Sequence, residues 1–197
     1  MARFSREELQ SFRGATIDDV VPDDLRLLFV GINPGLWTAA VNTHFARPGN
    51  RFWPALHQAG ITPYLVDAAD GLTDGQRADL CAAGIGLTNI VPVATARADE
   101  LTAAQLAEGG ERLRAFVEKA RPAVVALLGI TAYRQAFGRP KTVLGRQDEP
   151  LGSSELWVLP NPSGLNAHET VVSLATWYAQ AAVAAGLRLH PVPPVTG

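Results

Sequence analysis

Apolar residues run without alternation at Leu27-Leu28-Phe29-Val30, Ala123-Val124-Val125-Ala126-Leu127-Leu128 and Leu156-Trp157-Val158-Leu159. Such runs predict strands buried on both faces, as in a parallel sheet covered by helices. The first strand is expected over residues 26–31, and a further one over residues 86–91. Between the strands the apolar spacing turns helical. Residues 5–12 read as a short leading helix: Ser5 can cap it, Glu8 follows three positions later, and Leu9 and Phe12 share a face. An acidic linker, residues 18–24, precedes the first strand. Residues 33–49 read as a long loop, a length that inside a compact domain usually serves function. Helices follow over residues 50–59, with Phe52, Trp53 and Leu56 inward and Gly60 as the stop, and over residues 74–83, ended by Gly84. Thr102-Ala103-Ala104-Gln105 fits a capping box, and its helix runs to about residue 120 with Leu106, Leu113, Phe116 and Val117 on the apolar face. Gly109-Gly110 inside it weakens the helix and permits close packing or a kink. Residues 131–137 and 169–185 complete the helices, and Gly186 stops the last one.

Strands alternating with helices predict an α/β fold: a three-layer sandwich with a central, mostly parallel sheet flanked by helices. With 197 residues, 47% hydrophobic and 18% charged, the expectation is one domain over residues 1–197. It begins with the short helix and ends in a loosely ordered proline-rich tail, Pro191-Val192-Pro193-Pro194-Val195.

Composition narrows the function classes. No apolar run approaches the roughly 20 residues that span a bilayer, and the first eight residues lack the apolar segment of a secretory signal. Cys81 is the only cysteine, which excludes an intrachain disulfide and a four-cysteine iron–sulfur cluster. A cytoplasmic protein without metal or cofactor is expected. The net charge of −2 argues against broad nucleic-acid binding, so phosphate contacts would need a local patch. Candidates are Arg47 and Arg51; Arg112, Arg114 and Lys119; and Arg134, Arg139, Lys141 and Arg146. No phosphate-cradling Gly-x-x-x-x-Gly-Lys loop occurs, and Gly84-Ile85-Gly86 lacks the third glycine of a dinucleotide fingerprint. His168-Glu169 has no second histidine at zinc spacing, the four histidines are scattered, and no serine sits in a nucleophile elbow.

Candidate chemistry gathers at two strand ends. The first strand feeds into Gly31-Ile32-Asn33-Pro34-Gly35, where Pro34 keeps Asn33 out of the helical region. Asn33 is therefore held just past the carboxyl end of a central strand, where open α/β sheets bind ligands. The last strand feeds into Pro160-Asn161-Pro162-Ser163-Gly164-Leu165-Asn166, a stiff loop. Its Leu165 either inserts into a base stack or folds back onto the core.

Together these motifs resemble the uracil-DNA glycosylase superfamily, and within it the mismatch-specific uracil/thymine-DNA glycosylase branch. The resemblance rests on Gly31-Ile32-Asn33-Pro34-Gly35-Leu36, on Phe45-Ala46-x-Pro48-x-Asn50-Arg51-Phe52-Trp53 and on Trp157-Val158-Leu159-Pro160-Asn161-Pro162-Ser163-Gly164-Leu165. Glu108-Gly109-Gly110 and Ala126-Leu127-Leu128-Gly129 add to it, and it spans roughly residues 25–185.

What the resemblance implies is chemistry on a flipped nucleotide, since the glycosidic carbon is out of reach in the stack. Leu165 would fill the hole left behind, with Ser163, Gly164 and Asn166 against the DNA. Phe45 would stack on the base, unless its ring belongs to the core. Backbone groups near Ile32 and Phe45 would read the base edge, and Asn161 would face the base carbonyls. Asn33 would position the attacking water, which a neutral amide can orient but hardly deprotonate. Asp99, in Ala98-Asp99-Glu100-Leu101, stands where some relatives carry asparagine. It is either a second catalytic group, acting on water or the sugar cation, or an exposed acid at the helix cap.

One departure concerns specificity. Relatives can carry arginine two residues after the wedge leucine, where this chain has Ala167. Tolerance for uracil opposite adenine as well as guanine, and for single strands, is therefore expected. The expected partner is uracil-containing DNA, acted on by a monomer. Rival readings are a glycosylase for hypoxanthine or xanthine, a nucleic-acid-binding module without chemistry, and a small-molecule-binding α/β protein.

Overall fold

Five strands, β1 (Leu27–Gly31), β2 (Ile85–Asn89), β3 (Val124–Leu128), β4 (Gly145–Arg146) and β5 (Glu155–Leu159), form one sheet in the order β2-β1-β3-β5-β4. The computed structural model describes residues 3–192. From residue 193 on, the expected proline-rich tail lies outside the described residues. All neighbours in the sheet pair in parallel except β4, which runs antiparallel to β5. The helices are α1 (Arg6–Ser11), α2 (Leu36–Ala40), α3 (Phe52–Gln58), α4 (Asp74–Ala82), α5 (Ala103–Ala120), α6 (Ile130–Ala136) and α7 (Val171–Ala184).

The unbroken apolar runs are explained by burial on both faces. Successive side chains of a strand point to opposite sides, so each central strand feeds two cores. Leu27, Phe29, Val124, Ala126, Leu128, Trp157 and Leu159 meet Phe52 and Leu56 of α3 and Leu174 and Tyr178 of α7. Leu28, Val30, Val125, Leu127, Leu156 and Val158 meet Leu106, Leu113 and Val117 of α5 and Tyr133 of α6. This is the expected three-layer arrangement, with the sheet in the middle.

Local signals set most boundaries. Ser5 with Glu8 and Thr102 with Gln105 form the expected capping boxes, and Thr73 with Gln76 and Thr170 with Ser173 form two more. Each such cap contributes about 1 kcal/mol. The glycine pair in α5 serves close packing. A Cβ on Gly109 would stand 2.5 Å from the Ile90 carbonyl oxygen, and one on Gly110 2.5 Å from that of Ala136.

Two elements differ from the sequence expectation. Residues 33–49 are not one open loop, because α2 interrupts them. β4 extends the sheet by a two-residue antiparallel edge. The leading segment is also more than an appendage. Leu9, Phe12, Ala15 and Ile17 pack with Leu36, Ala39 and Ala94, and Ala94 exchanges backbone bonds with Gly14 (2.9 Å) and Ala15 (2.8 Å). It thereby braces the segment that leads to Asp99.

Candidate active site

Because β1, β2, β3 and β5 are parallel, their carboxyl ends emerge along one edge, and a cavity of about 710 Å³ opens there. That size is typical of a small-ligand site. It brings together Ile32, Asn33, Phe45, Asp99, Asn161, Ser163, Leu165 and Asn166. Of the residues to which the resemblance gives a part in catalysis, base binding or the wedge, only Gly164 stays out of its wall.

Asn33 is fixed by its amide nitrogen. Nδ2 donates to the carbonyls of Pro34 and Val93, each at 3.1 Å, and to Thr95 Oγ1 at 2.8 Å. The Thr95 hydroxyl spends its own proton on the Arg97 carbonyl at 2.7 Å, so it can only accept from Asn33. Three acceptors on one side define which end of the amide is nitrogen. The carbonyl oxygen Oδ1 is left as the end available to a ligand, an acceptor suited to holding water.

Asn161 is fixed the other way round. Its Oδ1 accepts the Ser163 backbone N–H at 2.9 Å, an Asx turn. Nδ2 remains as the available donor. Asn166 Nδ2 donates to the Asn161 carbonyl at 3.0 Å, and the Leu165 N–H donates to Ser163 Oγ at 3.3 Å. The loop is thus closed by its own side chains.

Arg51 holds this loop from below. Its Nη2 donates to the carbonyls of Ser163 (2.5 Å) and Asn166 (2.6 Å), and its Nη1 to that of Glu169. Gly164 lies back to back with Gly49, where a Cβ would stand 2.5 Å from the Gly49 carbonyl oxygen. Leu165 does not fold onto the core: it is 79% exposed. A lone exposed leucine is ordinary; one on a loop this constrained is a projecting tip.

Phe45 takes φ 56°, a left-handed conformation that a bulky residue keeps only when its surroundings impose it. The flanks supply that constraint. Trp53 Nε1 donates to the His44 carbonyl at 3.1 Å, and the Leu72 N–H donates to Thr43 Oγ1 at 3.1 Å. One face of the ring lies on Phe52, with centroids 4.0 Å apart and planes 24° from parallel. Phe45 itself is half-buried and lines the cavity.

Asp99 sits in a single 3₁₀ turn, Ala98–Glu100, on the cavity wall. It is not the helix cap, because Thr102 fills that role for α5. Both carboxylate oxygens engage the exposed Arg97 guanidinium, Oδ1 accepting from Nε at 3.0 Å and Oδ2 from Nη2.

The cations that the sequence offers as phosphate contacts are mostly turned to other partners. Arg51 is the loop clamp just described. Arg112 donates to the carbonyls of Asn89 and Ile90, and Arg134 to that of Thr142. Arg114, Arg139 and Arg146 pair with Glu111, Glu149 and Glu155. Among the described residues Arg47, Lys119 and Lys141 form no ion pair, and Arg47 lines the cavity.

Sequence reasoning missed Asn89. This residue ends β2, is only 5% exposed, lines the cavity, and has no hydrogen bond from its side-chain amide to any described residue. A buried amide without a protein partner faces a ligand or water. Gly31 makes room for it: a Cβ there would stand 2.4 Å from Asn89 Oδ1 and 3.2 Å from the Phe45 ring. In sequence Asn89 is one asparagine at a strand end; only the pairing of β2 with β1 sets it opposite Gly31.

Residues 19–185 match the family model of the uracil DNA glycosylase superfamily. The fold is also similar to the solution NMR structure of a Methanosarcina acetivorans protein provisionally described as a uracil DNA glycosylase. That likeness has a TM-score of 0.53 at 16% sequence identity and covers 86% of this chain and 98% of that one. At that identity it speaks for the fold alone.

Proposed function

Because the chain belongs to the uracil DNA glycosylase superfamily, whose members act on DNA, we propose that it is a monofunctional glycosylase of the mismatch-specific branch. It hydrolyses the N-glycosidic bond of uracil in DNA and leaves an abasic site. The observation that carries this reading is the pair of oppositely presented amides, Asn33 and Asn161, on the wall of one cavity.

The flipped base enters the cavity with Phe45 against its face and Leu165 in the gap it leaves. Backbone groups near Ile32 and Phe45 and the amide of Asn89 meet its edge. As the bond from the sugar carbon to the base nitrogen breaks, negative charge grows on the base carbonyls, and Asn161 Nδ2 donates to it. Water held by Asn33 Oδ1 adds to the sugar carbon and yields its proton, and the departing base is protonated. Asp99 stabilises the positive charge that develops on the sugar, and its carboxylate is the better proton acceptor of the two groups. Release of Asp99 from Arg97 is part of that role, since both its oxygens are otherwise occupied.

The protein acts as a monomer on uracil opposite guanine or adenine and on single strands. What favours this breadth is Ala167, with no long side chain to read the opposite base, and Arg51 held under the loop.

The test is alkaline strand cleavage of uracil-containing duplex by the wild-type chain and by Asn33→Ala. Companion strands carry hypoxanthine, xanthine or thymine, and uracil is offered opposite each base. Uracil-dependent cleavage that falls with Asn33→Ala is expected. Binding without base release would instead identify a DNA-binding module.

A further inference from the structure

A second stiff apolar tip stands beside the Leu165 loop. β4 runs antiparallel to β5 with Gly145 opposite Val158. The residues entering β4 therefore lie at the carboxyl end of β5, next to the loop that carries Leu165. They are Val143, 69% exposed, and Leu144, 36% exposed. Leu144 lines the same cavity as Leu165. Adjacent exposed aliphatic side chains at the mouth of a site mark a contact surface.

This tip is built in the same way as its neighbour. Arg134 donates through Nε (3.1 Å) and Nη2 (2.6 Å) to the Thr142 carbonyl. Gln147 Nε2 donates to the carbonyls of Val143 (2.9 Å) and Gly145 (2.7 Å). The Gln147 N–H is itself tied to the Leu156 carbonyl at 2.8 Å. Trp177 of α7 lies beneath, 3.7 Å from where a Cβ on Gly145 would be. In both tips, side chains grip the main-chain carbonyls below and leave aliphatic groups projecting. Lys141, exposed two residues earlier and in no ion pair among the described residues, offers a charge to an adjoining phosphate.

We propose that Val143 and Leu144 form a second apolar contact with duplex DNA, against the nucleotides flanking the one drawn into the cavity, while Leu165 occupies the vacated place. The inference rests on the glycosylase reading for the identity of the duplex. Opening a base step exposes apolar base faces on both sides of the gap, and apolar side chains offset that exposure. One leucine covers part of it; a neighbouring tip on the same edge covers more.

The test compares the full wild-type chain with Val143→Ser/Leu144→Ser. The probes are a duplex carrying a central tetrahydrofuran abasic-site analogue and the same strand unpaired. The double variant is expected to bind the duplex about tenfold more weakly, the scale of two aliphatic side chains that lose partial burial, and the single strand within about twofold. Val143→Ala is expected to fall between. A 2-aminopurine beside the analogue is expected to brighten with the wild type and less with the double variant. Equal duplex affinity overturns the proposal, as does an equal loss on duplex and single strand. Base release from uracil duplex is scored separately. Its absence, with the affinity difference intact, removes the glycosylase reading and leaves the contact standing.

Discussion

Asn33 and Asn161 carry the same side chain and offer the cavity opposite ends of it. Asn33 has its nitrogen tied to Thr95 Oγ1 and two carbonyls, which leaves an acceptor; Asn161 has its oxygen tied to the Ser163 N–H, which leaves a donor. Hydrolysis of a glycosidic bond needs both, one group to hold water and one to meet charge on the leaving base.

The same conservative change is therefore expected to act differently at the two positions. Asn161→Asp keeps the bond from Ser163 and replaces only the free donor. It should fold as the wild type and lose about 10²–10³-fold in single-turnover uracil excision, the scale of a removed charge-stabilising donor. Asn33→Asp sets an oxygen against three acceptors and should destabilise the fold by about 1–3 kcal/mol. Denaturant unfolding beside rapid-quench kinetics separates the two outcomes; equal stabilities would refute the assignment.

Asp99 and Arg97 test whether the carboxylate takes part. Asp99→Ala is expected to slow single-turnover excision by about 10²-fold, the lower range for a positioned acid–base group. Wild-type rates in that variant would end the idea. Arg97→Ala frees the carboxylate and should not reproduce the loss.

Arg51 is tied to the loop that carries Leu165, and its replacement is expected to act on DNA binding through that loop. Arg51→Met leaves the carbonyls of Ser163, Asn166 and Glu169 without their guanidinium donor. A loss of about 1–3 kcal/mol in stability follows for each such group that stays buried. Affinity for an abasic-site duplex should fall with it, because the Leu165 tip is no longer stiff. Unchanged affinity in a folded variant would show that the clamp is dispensable.

Tyr178 gives a stability prediction away from the chemistry. Its hydroxyl is buried with no hydrogen-bond partner among the described residues, and burial, then the Glu169 carboxylate, pushes it well above its ordinary value of 10.0. A folded-state value raised in this way means stability is intact below the unfolded value and is lost as pH climbs above it. Tyr178→Phe should be as stable as the wild type near neutrality, or up to about 1 kcal/mol more so. It should also lose less stability in alkali, as thermal melts across that range would show.

Much of this architecture was legible because burial on both faces leaves an unmistakable trace. The runs at Leu27, Val124 and Leu156 had nowhere to sit but a covered sheet. α2 was not legible: Leu36–Ala40 is too short to establish a helical period, and Gly35 caps it without a side chain. β4 spans two residues, one of them glycine, too few to alternate. Among the site residues, Asn33 and the loop at Asn161 announced themselves through the prolines and glycines that stiffen them. Arg51 and Asn89 did not. A guanidinium facing inward and one facing solvent are the same letter, and an amide becomes conspicuous only when its surroundings offer it no partner. The pairing of Asp99 with Arg97 depends on one tight turn bringing two side chains round, a matter of geometry rather than pattern.

The relay from the Arg97 carbonyl through the Thr95 hydroxyl to the Asn33 amide bears on the acidity the protein can tolerate. No member of that chain gains or loses a proton across the physiological span, so acidification leaves the direction of the Asn33 acceptor unaltered. Any acid limb in the rate must then arise outside this relay.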